Sequence, residues 1–171
     1  AFTNCDTVAL RLNGKLVSEQ KNDLYEGLTW QVPYAPGRLE AVGMTGGKVV
    51  TRAVVETTGA PVALRLTPDR SALAGDGRDA TPIRVEAVDA KGRPVPTAQT
   101  PIQFAIEGGR IIGLGNGDAN SHEPEKGDRR SLYNGLAQVI VQTAGATGPL
   151  VVTARAEGLK PAEARVAVRP A

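Results

Sequence analysis

Apolar and polar residues alternate with a period of two along most of this chain, in short runs cut by turn residues. Val8, Leu10 and Leu12 alternate with Ala9 and Arg11, the pattern of a strand with one buried face. Asn13-Gly14 follows at once and supplies the positive φ values of a tight hairpin turn, which predicts a hairpin over Val8–Val17. The polar stretch from Ser18 to Glu26 then reads as loop. Leu28, Trp30, Val32 and Tyr34 alternate with Thr29 and Gln31, predicting a second half-buried strand closed by Pro33, Pro36 and Gly37. Arg38–Gly43 and Lys48–Glu56 pair across Thr45-Gly46-Gly47.

The pattern restarts at Val62–Thr67. Ile83, Val85 and Ala87 line one strand face, and Asp89–Gly92 turns the chain. Ile102, Phe104 and Ile106 form the next inward stripe, ended by Gly108-Gly109. Ala137–Thr143, Leu150–Ala156 and Ala164–Val168 predict three further strands, separated by the turn signals of Ala144–Gly148 and Gly158–Pro161. No stretch keeps a helical period. Short strands at this spacing predict an all-β protein with a sandwich of the immunoglobulin type in its second part. The two parts meet near Thr58-Gly59-Ala60-Pro61, giving expected domains 1–58 and 59–171. The first is small for a core of its own and enters a strand almost directly from Ala1-Phe2-Thr3, so a truncated domain lacking its leading strand is expected.

Composition supports this outline. Among 171 residues there are 20 Gly and 12 Pro, while aromatics make up only 4%, which suits many strands joined by turns. Lys+Arg 20 against Asp+Glu 18 leaves a formal charge of +2, so a nucleic-acid partner gains no support. No apolar run approaches the roughly 18 residues of a membrane span, and no membrane partner is expected. The lone Cys5 excludes an internal disulfide and reads as a small buried side chain beside a strand.

Candidate chemistry concentrates between Gly113 and Tyr133, a connection long enough to be functional or mobile. Glu123 and Glu125 are close in sequence, but nothing splits their environments as an acid/base pair requires. His122 is the only histidine; with Ser121 or Ser131 and Asp118 or Asp128 it lacks the elbow and geometry of a triad, and it lacks partners for zinc. Gly113-Leu-Gly115-Asn-Gly117 has no helix after it to hold a pyrophosphate. Asn116, Asp118 and Asn120 alternate like calcium ligands, but Ser121 and Gly127 stand where the loop's glycine and glutamate belong. No cofactor is called for. Trp30, Tyr34 and Phe104 are expected in the core, which leaves Tyr25 and Tyr133 as the rings free to meet a carbohydrate. The residues of a contact loop, toward another domain or a ligand, are Asn116, Asp118, His122, Glu123, Arg130 and Tyr133. A docked loop and a solvated excursion both fit this sequence.

Asn4-Cys5-Asp6 before the Val8–Val17 hairpin, Trp30-Gln-Val-Pro-Tyr34 and Leu39–Gly43 resemble an accessory β-sandwich domain of family 2 glycoside hydrolases, the β-galactosidase group. Leu66-Thr67-Pro68, Ala74–Gly77 and Val85–Pro96 resemble a bacterial immunoglobulin-like domain of the invasin type, which ends many of these enzymes. Gly115–Asp118, Ser121–Pro124 and Tyr133–Ala137 resemble that enzyme group more narrowly. The resemblance implies two consecutive immunoglobulin-like sandwiches that are non-catalytic themselves and stabilise or position a barrel bearing two glutamates about 5 Å apart. The implied partners are the catalytic domains of the same parent chain, and the implied compartment is periplasmic or extracellular. A carbohydrate-binding module and an adhesin-like tandem are the alternatives.

Overall fold

The structure is a computed structural model, and it describes every residue except Leu24, Ala146 and Thr147. Among the described residues the chain forms strands and turns and no helix. It divides into two compact units, Ala1–Thr57 and Thr58–Ala171.

In the first unit, β1 (Thr7–Leu12), β2 (Lys15–Lys21), β3 (Arg38–Thr45) and β4 (Lys48–Glu56) form a four-stranded antiparallel sheet in the order β2-β1-β3-β4. The β1–β2 turn has φ of 52° at Asn13 and 81° at Gly14, the left-handed pair that matches the twist of the flanking strands. The Asn13 side chain has a second task. Its Oδ1 accepts the Arg38 amide at 2.8 Å and its Nδ2 donates to the Pro36 carbonyl at 3.1 Å, tying the turn to the start of β3. Cys5, Val8, Ala9, Leu10, Leu28 and Val42 are buried, and Cys5 Sγ fills the space beside Gly43, where an added Cβ would come within 2.7 Å.

Two expectations for this unit change. Ser18–Lys21 belongs to β2 rather than to a loop. This edge strand is largely exposed on both faces, so burial imposes no alternation on its side chains. Conversely, Leu28–Tyr34 forms no strand. Ala1 and Leu28 exchange backbone hydrogen bonds of 2.7 and 2.9 Å, but no ladder follows. Instead Trp30 Nε1 donates to Ser18 Oγ at 2.9 Å, and Gln20 Nε2 to the Thr29 carbonyl at 3.0 Å. The alternation persists as burial at Leu28 and half-burial at Trp30 and Val32. Tyr34, beyond Pro33, is 82% exposed rather than in the core.

The second unit has two layers. β5 (Ala63–Pro68), β7 (Ala80–Val88), β11 (Leu136–Thr143) and β9 (Gly109–Gly115) run in the order β5-β7-β11-β9. β10 (Arg129–Ser131), β8 (Pro101–Glu107), β12 (Gly148–Ala156) and β13 (Leu159–Arg169) run β10-β8-β12-β13, with β6 (Ala72–Ala74) parallel to β13. A parallel pairing of Ala63 with Lys160 joins the layers at one edge. Their inner faces meet in one apolar cluster: Ile83, Val85, Val139 and Val141 from one layer, Ile102, Phe104, Leu150, Val152 and Val166 from the other. The three-residue strands β6 and β10 are too short to show a period, and β9 runs on through Gly113 to Gly115, into the connection that the sequence marks as irregular. The irregular part of the Gly113–Tyr133 connection therefore shrinks to 116–128.

Phe104→Ala is expected to destabilise the second unit by about 4 kcal/mol, since a ring deleted from a closed aliphatic core leaves a cavity. Val55→Ala, at a position 70% exposed, should change stability by no more than about 0.5 kcal/mol. Urea titrations of both variants check the contrast.

Candidate functional site

β9 leads into the 116–128 segment, which returns to the edge of β8 as β10. Arg130 is opposite Ile102 in the β10–β8 ladder and therefore starts toward the core. It is only 5% exposed, and its guanidinium finds acceptors on the loop. Nη1 donates to the Glu123 carbonyl at 2.8 Å and Nη2 to Asn116 Oδ1 at 2.9 Å. Among the described residues Nε has no hydrogen-bond partner, and it faces Glu123 Oε2 at 3.8 Å.

Glu123 is held from the strand side as well. Ser131 Oγ donates to its Oε1 at 2.6 Å, and the Ser131 amide to its Oε2 at 2.9 Å. Asn116 Nδ2 donates to the Ser131 carbonyl at 3.0 Å. Around this clamp the loop is a chain of side-chain-capped turns. Asn116 Oδ1 accepts the Asp118 amide, Asp118 Oδ1 the Asn120 amide, and Ser121 Oγ the Glu123 amide, at 3.0, 2.9 and 3.3 Å. Backbone bonds from Leu114 to Glu125 (2.8 Å) and from Phe104 to Asp128 (2.7 Å) pin the segment to β9 and β8.

Of the six contact-loop residues, the structure unites Asn116, Asp118, Glu123 and Arg130 in this network. His122 is exposed, with no hydrogen-bond partner among the described residues. Tyr133 opens the tight turn into β11, exchanges backbone bonds with Leu136 and stays outside the network, 36% exposed. Ser131, weighed from the sequence only as a triad hydroxyl beside His122, instead sits at the centre of the clamp; its pairing with Glu123 has no sequence signal because the two lie eight residues apart across an irregular loop. Of the oxygens that alternate like calcium ligands, Asn116 Oδ1 and Asp118 Oδ1 are engaged in turns, and Asn116 Oδ1 also faces a guanidinium.

The Ser131 hydroxyl and amide, followed by Arg130 and Arg129, hold the Glu123 carboxyl below its usual range despite burial. An acid so stabilised is an ionised acceptor at neutral pH and a poor proton donor. Glu125 is exposed and enters only through its backbone carbonyl.

Two more carboxylates brace the unit. Asp79 accepts from Arg70 at 2.7 and 2.9 Å and from the Ala74 and Ala80 amides; chiefly through Arg70 its pKa falls to about 2. Asp89 accepts from the side chain and amide of Arg93 and from the Gly59 and Lys91 amides. Arg93 first, then Gly59, holds it far below the usual range. The sequence marks Asp89 as a turn residue and gives no sign that its carboxylate is buried. Beside the clamp, a groove of about 310 Å³ is lined by Thr100, Pro101, Gln103, Arg129, Arg155, Ala156 and Glu157, and Glu123 does not reach it.

Fold and clamp together define an all-β region of sandwich type whose ionised groups brace loops. Residues 64–165 match the model of glycoside hydrolase family 2 C-terminal domain 5, and the chain belongs to that family. Residues 1–51 match a domain of unknown function (DUF4982). A β-galactosidase of Bacteroides ovatus is 35% identical over 167 residues, covering 96% of this chain and 20% of its own length. A β-glucuronidase of Formosa agariphila is 31% identical, covering 93% and 16%. A crystal structure of a family 2 member from Bacteroides cellulosilyticus is similar with a TM-score of 0.93 at 33% identity, over 98% of this chain and 22% of that one. The chain thus spans a fifth or less of the length of these curated relatives.

Arg130→Ala should cost about 2–3 kcal/mol, because Glu123 and Asn116 lose their cation while remaining partly buried. Denaturant midpoints and faster proteolysis within 116–128 would register it. The pH dependence has a fixed sign. Asp79 and Glu123 titrate below their ordinary values of 3.8 and 4.5, so the unfolded chain binds protons first on acidification. Stability should be level above about pH 5 and fall as pH drops from about 4 toward 2. Asp79→Asn should flatten part of that slope in urea midpoints measured against pH.

Proposed function

We propose that this chain is a non-catalytic accessory region of a family 2 β-galactosidase, stabilising or positioning the catalytic domains of its own parent chain. Within it we read two consecutive immunoglobulin-like sandwiches, the first incomplete. The strand orders β5-β7-β11-β9 and β10-β8-β12-β13 support this for the second unit, and a lone four-stranded sheet supports an incomplete first. The observation that carries the accessory role is the clamp. Glu123, the best-placed carboxylate of the candidate loop, is committed to Ser131 and Arg130, and the loop's polar groups bond chiefly to one another. The match to a fifth of a β-galactosidase agrees with a part whose chemistry is performed elsewhere in the polypeptide. We place the parent in the periplasm or outside the cell, on family habit.

A carbohydrate-binding role is the second reading, and it draws on ring exposure. Tyr25 is 96% and Tyr34 82% exposed, available for stacking on a sugar. Retention on immobilised glycans, lost on Tyr25→Ala, would favour it.

The isolated chain should release no chromophore from aryl β-galactosides or β-glucuronides above buffer, and turnover at enzyme level would overturn the proposal. Deleting the region from the parent should lower its melting temperature by at least a few degrees while kcat per folded active site stays within about twofold. An unchanged melting temperature would remove the accessory role.

A further inference from the structure

The outer face of the β5-β7-β11-β9 layer carries a groove of about 300 Å³, lined by Thr67, Pro68, Asp69, Pro82, Arg84 and Gln138. All six belong to the second unit, and the groove lies toward the far end of β5 from the Ala63–Lys160 pairing. Ile83 and Val85 point into the core, so Arg84 between them points outward. Register sets three side chains in one row: Thr67 is opposite Arg84 on one side, and Gln138 is opposite it on the other. The Asp69 amide donates to the Pro82 carbonyl at 3.0 Å, which places Asp69 beside that row. The neighbouring charges are committed to one another. Glu86 Oε2 takes Arg65 Nε and Nη2 at 2.9 Å each, so Arg84 Nε, 3.6 Å from the same oxygen, meets a carboxylate already held. Arg70 is likewise spent on Asp79. Among the described residues the side chains of Thr67, Asp69 and Gln138 make no hydrogen bond, and neither do the Nη groups of Arg84.

We propose that this groove binds a neutral pyranose ring of a carbohydrate. A carboxylate accepts from hydroxyls, a guanidinium donates to them, and a carboxamide and a hydroxyl do both. Asp69, Arg84, Gln138 and Thr67 thus bring every kind of partner that a ring of hydroxyls needs, each with capacity unspent. Their charges decide the ligand's charge. An anion drawn by Arg84 meets Asp69, and a cation drawn by Asp69 meets Arg84, so a ligand without net charge that both donates and accepts is the complement. Pro68 and Pro82 add rigid aliphatic rings, suited to the C–H face of a sugar. The backbone groups beneath are used in the β5–β7 and β11–β7 ladders, so a peptide strand finds no partners there. The volume is that of a small-molecule site. This site is separate from the Tyr25 and Tyr34 rings of the first unit on which the carbohydrate-binding reading above draws. The accessory role stands with or without it.

The test is an NMR titration of the isotope-labelled 171-residue chain with lactose, which offers two neutral rings, and with glucuronate as the charged counterpart. Lactose should shift the side-chain amide signals of Gln138 and the backbone signals of Asp69 and Arg84, saturating with a dissociation constant of roughly millimolar order. Arg84→Ala and Gln138→Ala should each weaken binding at least about fivefold, through the loss of a hydrogen bond. Both positions are exposed, and melting temperatures close to the wild type's confirm that the variants are folded. Tyr25→Ala should bind as the wild type does. No saturable shift with lactose overturns the proposal, and so does binding that Arg84→Ala and Gln138→Ala leave unchanged. Shifts centred on Tyr25 or Tyr34 and lost on Tyr25→Ala also overturn it, in favour of the first unit. Tighter binding of glucuronate than of lactose overturns the neutral ligand.

Discussion

Two β layers with branched aliphatic inner faces can close only if the polar groups at the open ends of the sandwich are satisfied without help from the core. The second unit meets that condition with a few ionised side chains, each gathering several backbone groups. Arg130 collects a carbonyl and a side-chain oxygen from the 116–128 segment. Asp89 gathers the amides of a tight turn together with the approach at Gly59, and Asp79 holds Ala74 and Ala80 around the turn before β7. Thr143, wholly buried, closes the same corner by donating to the Ala74 carbonyl at 3.1 Å. These charges are stabilised by what they bind, and the same contacts lower the pKa of each carboxylate. Acidity here is a by-product of architecture.

The inner strands of the second unit were legible because burial on one face writes a period into the sequence. Ile83, Val85 and Ala87, and Ile102, Phe104 and Ile106, alternate where the core requires it. Legibility ends where burial stops constraining both neighbours. The second half of β2, Ser18–Lys21, lies on a strand largely exposed on both faces and reads as loop. Leu28–Tyr34 has a buried stripe without a ladder and reads as strand, because side-chain periodicity reports which way residues point and says nothing of where the backbone finds hydrogen-bond partners. The candidate loop was legible as unusual, and four of its polar residues do converge. Their roles were hidden, since a clamp between Glu123 and Ser131 depends on a return path that only the closed sandwich sets. Tyr34 failed for the opposite reason: the alternation extends past Pro33, where the packing does not.

The two units illustrate different ways of managing a sheet. In the second, paired layers hide both inner faces, and the candidate chemistry has been drawn into bracing. In the first, four strands carry a small core, and the terminal strand β4 keeps Val49, Val50, Val54 and Val55 exposed. The match to the family 2 C-terminal domain model, residues 64–165, falls within the two-layered unit.

The bond from Asn13 to the start of β3 has a consequence for how the sequence can change over time. Gly37 has a φ of 134°, and any Cβ placed there would collide with Asn13 Oδ1. The two positions are far apart in the chain, yet neither is free to vary alone. A side chain at position 37 expels the amide that caps the Arg38 backbone, and a longer residue at position 13 loses the φ of the turn together with that cap. Asn13 and Gly37 therefore form a single heritable unit. Descendants of this sequence should keep both or replace both, and a lineage in which one had drifted would mark a rebuilt entrance to β3.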